Sequence, residues 1–303
     1  MGDAAHVGSF DHEVYSKTLA VKPEIEEWDT PGNYHGRHLG LDKLPDKMKV
    51  WRVQNSGKSY GGVVARAYGF LDSPDAEVIA VGFNGGKEYG AVGIGRQGNF
   101  LQWGYSSSPS QMTEAGRNLF VNCIHYISKF NGKTPLVRRQ GSQRLNAMRL
   151  AQVINRISGD QKEFFLRTFP EELYGKYSSD PNGLVQYYRD NIELVYRDGV
   201  FRVDDELKSL GIESNRKIET LARLIEMLND QLKADIAQKL LERYTERSFG
   251  SPNQWSEWLN TNKDRLYFTD FGGYKFMLMP KDYPVPKVYE GNLLGALKPD
   301  YGK

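Results

Sequence analysis

A single cysteine, Cys123, stands in 303 residues. One thiol excludes an intramolecular disulfide, a cysteine-rich zinc site and a thiolate-held iron–sulfur cluster. Long apolar runs are missing too: no stretch approaches the ~20 residues that a membrane-crossing helix needs. Charge of one sign is equally scarce, with 40 Lys and Arg against 38 Asp and Glu and a formal net charge of +2. That balance supplies no electrostatic drive toward nucleic acid or an acidic membrane surface. The opening residues Met1-Gly2-Asp3-Ala4-Ala5-His6 lack the basic start and apolar stretch of a signal peptide. His6 also stands where a myristoylation signal requires Ser or Thr. No H-E-x-x-H or H-x-H metal framework occurs. A soluble, globular chain of about two domains is expected, and a lone reduced cysteine fits cytoplasm and periplasm alike.

What is present reads as two textures. Residues 1–50 are polar, interrupted by Pro23, Pro31 and Pro45, and hold His6, His12, His35 and His38; loops with one or two short strands are expected there. From Met48 onward short β-rich runs follow one another. They are Lys49–Val53, Gly61–Phe70, Glu77–Phe83, Gly90–Gly95 and Asn99–Tyr105, separated by turn signals such as Asp72-Ser73-Pro74-Asp75 and Asn84-Gly85-Gly86. After Pro109 the period becomes helical: Thr113 is the expected N-cap, and Leu119, Phe120, Cys123, Ile124 and Ile127 share one face.

Residues 142–279 read mostly as helices, over 143–157, 161–168, 181–196, 204–210, 214–227, 230–246 and 253–262. Tyr267–Asp270 and Tyr274–Leu278, joined through Phe271-Gly272-Gly273, form a closing hairpin. The remainder reads as a Pro- and Tyr-rich extended arm. The expected class is α+β: a mainly β domain closed by one helix over 1–140, an all-helical domain with a terminal β-hairpin over 141–279, and a tail over 280–303.

Several motifs invite chemistry. Gly93-Ile94-Gly95-Arg96-Gln97-Gly98 matches G-x-G-x-x-G, but a strand rather than a helix follows it, so a tight turn is expected instead of a dinucleotide cradle. Cys123 and His125 are two apart on a helix and point away from each other, which leaves Cys123 as a small core hydrophobe. His35-Gly36-Arg37-His38, with Glu26, Glu27 and Asp29 upstream, is the candidate metal or base site, with His35, His38, Glu26 and Asp29 as ligands if the loop folds back. Asn84, Arg96, Asn99, Trp103 and Tyr105, with Gln97 and Gln102 nearby, mix aromatic faces with amides around strand ends, as a sugar or small polar ligand requires. Trp255 and Trp258, three apart on a helix, are expected to pack against Leu266, Phe268 and Phe276.

Three segments carry a resemblance. Phe70–Ala80, then Ala91–Tyr105 with its Gly98-Asn99-Phe100-Leu101-Gln102-Trp103-Gly104, then Gln111–Ile127 with Met112-Thr113 and Asn122-Cys123-Ile124-His125-Tyr126-Ile127, resemble the C-terminal part of trehalose-utilisation (ThuA-like) proteins. That family is a branch of the class I glutamine-amidotransferase-like fold. The match covers about residues 48–135 and lacks the family's N-terminal half. The resemblance implies a link to carbohydrate use without an amidotransferase cysteine. With the residue reading it gives the leading expectation: a non-catalytic binding or interaction protein, taking a protein partner or a small carbohydrate-like ligand, with no cofactor. The alternative is a sugar- or polyol-directed enzyme, metal-assisted through His35 and His38, with Arg96 orienting the substrate.

Overall fold

The computed structural model describes residues 1–35, 44–58, 60–70, 72–137, 142–154, 156–281 and 283. Its architecture is α+β, with small antiparallel sheets and short helices. Two compact units divide it, one over Met1–Leu136 and a second that starts at Val137.

The first unit runs β1 (Ala4–His6), β2 (Ile25–Asp29), α1 (Gly32–His35), β3 (Lys47–Arg52), β4 (Ala76–Val81), β5 (Val92–Gln97), β6 (Phe100–Trp103) and α2 (Glu114–Ser128). Its sheets are antiparallel, in the orders β1-β3-β2 and β4-β5-β6. Main-chain bonds join them: the Phe83 N–H donates to the Ala4 carbonyl, and the Gly2 N–H to the Phe83 carbonyl. The expected strand over 61–70 is not formed. Gly62 and Ala65 make isolated bridges to Tyr105 and Val92, and Ala67–Gly69 is a turn of 3₁₀-helix. These bridges nonetheless close a ring of pairings from residues 1–6 through 61–65, 104–106, β5 and β4.

Glycine permits the close approach where these segments meet. A Cβ on Gly62 would fall 1.9 Å from the Gly104 carbonyl oxygen, and one on Gly93 would fall 3.0 Å from the Gly82 Cα. The core beneath α2 contains Trp51, Val53, Ile94, Tyr105, Leu119, Cys123 and Tyr126. Thr113 caps α2 as expected, accepting from the Gly116 N–H at 3.0 Å.

The second unit runs α3 (Leu145–Ile154), α4 (Gly159–Leu166), α5 (Glu171–Tyr177), α6 (Pro181–Asp190), β7 (Val195–Asp198), β8 (Val200–Val203), α7 (Asp205–Ser209), α8 (Ile218–Met227), α9 (Ala234–Thr245), α10 (Pro252–Asn262), β9 (Leu266–Thr269) and β10 (Lys275–Leu278). The helical stripe over 214–246 resolves into two packed helices, α8 and α9. The C-terminal hairpin β9–β10 forms in the expected place. One expectation is corrected: the helix over 181–196 ends at Asp190, and a second hairpin, β7–β8, follows around Asp198-Gly199.

Candidate functional site

The glycines of the G-x-G-x-x-G motif serve packing and a turn. A Cβ on Gly95 would lie 2.6 Å from the Phe70 ring, and Gly98 takes φ +54° in the β5–β6 turn. β6 follows directly, so no helix N-terminus is available to hold a pyrophosphate. A second glycine pattern escaped the sequence reading: Gly57-Lys58-Ser59-Tyr60-Gly61 fits G-x-S-x-G. A nucleophile elbow requires a helix immediately after its serine. Here the chain continues through the Gly62 and Ala65 bridges, and Ser59 itself lies outside the described residues.

The cross-strand register pairs Ile94 with Trp103 and Arg96 with Leu101, which puts all four on one face of the sheet. α2 packs against that face. Trp103 meets Phe120 and Tyr105 edge-on, with ring centroids 5.0 and 5.6 Å apart. Arg96 stacks over Phe130 at 3.7 Å and ion-pairs with Glu77. Glu77 also accepts from the Tyr126 hydroxyl and lies 3.3 Å from the His12 Nε2. Burial alone would raise the Glu77 pKa, yet these hydrogen bonds from His12, Tyr126 and Arg96 lower it to about 2. A carboxylate so engaged is an anchor between β4, β5 and α2.

Three polar atoms in this region, Asn99 Oδ1, Trp103 Nε1 and the Tyr105 hydroxyl, are buried and meet no hydrogen-bond partner among the described residues. Tyr105 is only 4% exposed. Cys123 is buried as well, and desolvation pushes its pKa up to about 12, so it stays a thiol.

Asn84 belongs to a different cluster from Arg96, Trp103 and Tyr105. Its Oδ1 accepts from the Gly86 and Lys87 N–H groups, and its own N–H donates to the Tyr34 hydroxyl at 2.9 Å. That hydroxyl lies 3.1 Å from the His6 Nε2. Burial lowers the His6 pKa to about 3, so the ring is neutral and accepts the Tyr34 proton. The ring stacks among Tyr34, Phe83 and Tyr89.

The proposed metal ligands separate along β2. Glu26 and Asp29 are three residues apart on one strand and therefore point to opposite faces. Glu26 is engaged at 2.8 Å by both Arg52 and the Trp28 indole. Glu27 shares the face of Asp29. His35 is exposed at the end of α1, and His38 lies outside the described residues. Among the described residues, no group of three or more His, Cys, Asp or Glu is placed to hold a metal ion.

In the second unit the deepest polar network surrounds Arg144, whose side chain is fully buried. It donates to Asp270 through Nε and Nη2, and to the Ile192 carbonyl and Asn215 through Nη1. Asn215 continues to Tyr244, and Tyr244 donates to Asp204, which Arg243 also grips at 2.8 Å. No local pattern in the sequence marks Arg144, because its partners lie 48 to 126 residues away.

A cleft of about 370 Å³ opens beside the last strand, lined by Thr245, Glu246, Arg247, Trp258, Leu266 and β10. Trp258 and Leu266 make an apolar wall. Lys275 bridges to Glu246 at 2.6 Å across the rim, and Arg247 is exposed beside them. The packing expected around the two tryptophans is seen in part: Trp255 is buried and meets Trp258 edge-on at 6.0 Å, and Trp258 lines the cleft together with Leu266 and Phe276. The ring against both tryptophans is Phe249, while Phe268 packs on Phe276 and Tyr244. No family model, no curated protein and no solved structure matches this chain.

Proposed function

We propose that the chain is a non-catalytic binding protein and that its binding site is the cleft beside β10. The cleft carries this reading. It combines a half-buried tryptophan with a charged rim, in a volume within the range of small-molecule and peptide sites. The polar clusters of the first unit support the same reading by elimination of roles. Glu77, Arg96, Asn84 and His6 each spend their hydrogen bonds on holding strands and α2 in place. The occupant is a protein partner or a small carbohydrate-like ligand, and the resemblance to trehalose-utilisation proteins makes sugars the first small ligands to try.

The test is a series of thermal melts of the whole chain against mono- and disaccharides and against extended pentapeptides. An occupant stabilises the native state in proportion to its concentration over Kd. Stabilisation by one panel member, absent in Trp258→Ala, is expected. A shift that survives Trp258→Ala would place the binding elsewhere.

A metal-assisted, sugar-directed enzyme remains the second reading, favoured by one observation: His35 is exposed where Gly36-Arg37-His38 begins. A stoichiometric divalent metal in untagged protein, lost in both His35→Ala and His38→Ala, would support it over the binding reading.

A further inference from the structure

Three of the residues lining the cleft carry charge: Glu246, Arg247 and Lys275. Their surroundings differ. The Lys275 side chain is only 18% exposed and donates to Glu246 at 2.6 Å. Glu246 is 66% exposed, and its carboxylate engages no other side chain among the described residues. Arg247 forms no ion pair among them. Its main-chain N–H donates to the Thr245 hydroxyl at 3.2 Å, which holds the residue at the rim. Two cations therefore face one carboxylate. The carbonyl end of α9, which stops at Thr245, adds about half a negative charge. The rim still keeps a positive balance.

The backbone gives this ion pair a second mark. Glu246 takes φ +51°, and Tyr274, the neighbour of Lys275, takes φ +56°. Among the described residues these two are the non-glycines with positive φ. A helix that ends in the left-handed region usually places Gly or Asn there. Here the strained position carries Glu, whose carboxylate meets Lys275. Strain of this kind clusters at ligand clamps. An ion pair with one partner so exposed adds little to stability, so an incoming anion displaces Glu246 at small cost. The rest of the lining is mainly apolar, with Trp258, Leu266, Phe276, Met277 and Leu278.

We propose that the cleft takes a carboxylate carried beside an apolar face. The carboxylate displaces Glu246 and is gripped by Lys275 and Arg247, while the apolar face lies on Trp258. A sugar acid and the C-terminal residue of a peptide both present this chemistry. The inference rests on the cleft being the binding site.

Isothermal titration of the whole chain tests it with two matched pairs. They are glucuronate against glucose, and the pentapeptide Gly-Gly-Ala-Leu-Phe against its C-terminal amide. The carboxylate member of at least one pair is expected to bind about tenfold tighter than its neutral partner. Discrimination within the sugar pair assigns a sugar acid, and within the peptide pair a chain terminus. Arg247→Gln is expected to remove most of the preference. Glu246→Gln takes away the competing carboxylate and is expected to tighten carboxylate binding about two- to fivefold. Both substitutions fall on exposed side chains, so folding is expected to survive them. Equal affinity within both pairs overturns the proposal, and so does weaker carboxylate binding by Glu246→Gln. If neutral members bind as well as charged ones and lose that binding in Trp258→Ala, only the carboxylate requirement fails. If no member binds, or binding survives Trp258→Ala, the reading of the cleft fails and this inference falls with it.

Discussion

His6 shows how much one buried side chain can decide. Its folded pKa of about 3 lies below the ordinary 6.5, so the unfolded chain binds a proton that the folded chain refuses. The associated stability is complete above pH 6.5 and is lost as pH falls toward 3. At ~1.4 kcal/mol per pH unit, acidification from 6.5 to 5 costs about 2 kcal/mol before most carboxylates titrate. His6→Phe is expected to lose about 1 kcal/mol at pH 7, where the Tyr34 hydroxyl loses its acceptor. Between pH 7 and 5, however, its denaturant midpoint should stay flat while the wild-type midpoint falls. Parallel slopes would contradict the assignment.

Glu77 acts in a lower window: its stabilisation is present above its ordinary pKa of 4.5 and is lost as pH falls toward 2. Arg144 and Asp270 form the costliest pair to break. Asp270→Ala leaves a buried guanidinium without its counter-charge and is expected to cost about 3–5 kcal/mol in urea unfolding. Arg144→Met with Asp270→Leu should recover much of that loss. These anchors were hard to read because each depends on residues distant in sequence. Arg96 was noticed as a ligand candidate, and nothing local reveals that Glu77 and Phe130 already hold it.

At the level of elements, periodicity and caps were legible wherever a local signal coincided with the tertiary outcome. Thr113 before an apolar helical face gave α2, and two β-rich runs around Phe271-Gly272-Gly273 gave β9–β10. The miss at β7–β8 is instructive. Val195-Tyr196-Arg197-Asp198-Gly199-Val200-Phe201-Arg202-Val203 carries Asp-Gly between alternating residues, a strong hairpin signal, with Gly199 at φ +66°. The helix expected over 181–196 overruns α6 by six residues and takes in the first two of this hairpin, Val195 and Tyr196.

The strand expected over 61–70 failed for a different reason, because Gly61 and Gly62 serve close contact rather than strand formation. Gly93→Ala is expected to cost about 1–3 kcal/mol by overpacking against Gly82. Gly62→Ala costs more, since its Cβ would overlap the Gly104 carbonyl and its φ of +155° disfavours a side chain. Gly85→Ala, with nothing within 4 Å, should change stability by less than about 0.5 kcal/mol. Chemical unfolding of the three variants checks the order, and a neutral Gly62→Ala would refute the packing account.

At the scale of the whole molecule, composition bears on one coarse expectation. Balanced charge and the lack of long apolar runs agree with described residues in which no helix is long and apolar enough to cross a membrane. The first unit has its own core, from Ala5 and Trp51 to Cys123 and Tyr126. Residues 1–136 expressed alone should therefore give one cooperative calorimetric transition. A broad, non-cooperative melt would count against that core being self-sufficient.

Of the cleft, Trp258, Leu266 and Phe276 were legible as an aromatic and apolar group. Their gathering around a cleft with Thr245, Glu246 and Arg247 was not, because residues this far apart in the chain meet only in the folded molecule.

The most direct test uses the five tryptophans, Trp28, Trp51, Trp103, Trp255 and Trp258, as site reporters. Their indole ¹H–¹⁵N signals would be followed while the sugar and pentapeptide panel is added to the whole chain. The account predicts that an occupant moves the Trp258 signal first and most, with Trp103 and Trp28 unmoved. Movement of Trp103 or Trp28 with Trp258 still would contradict it, and would return the binding site to the first unit.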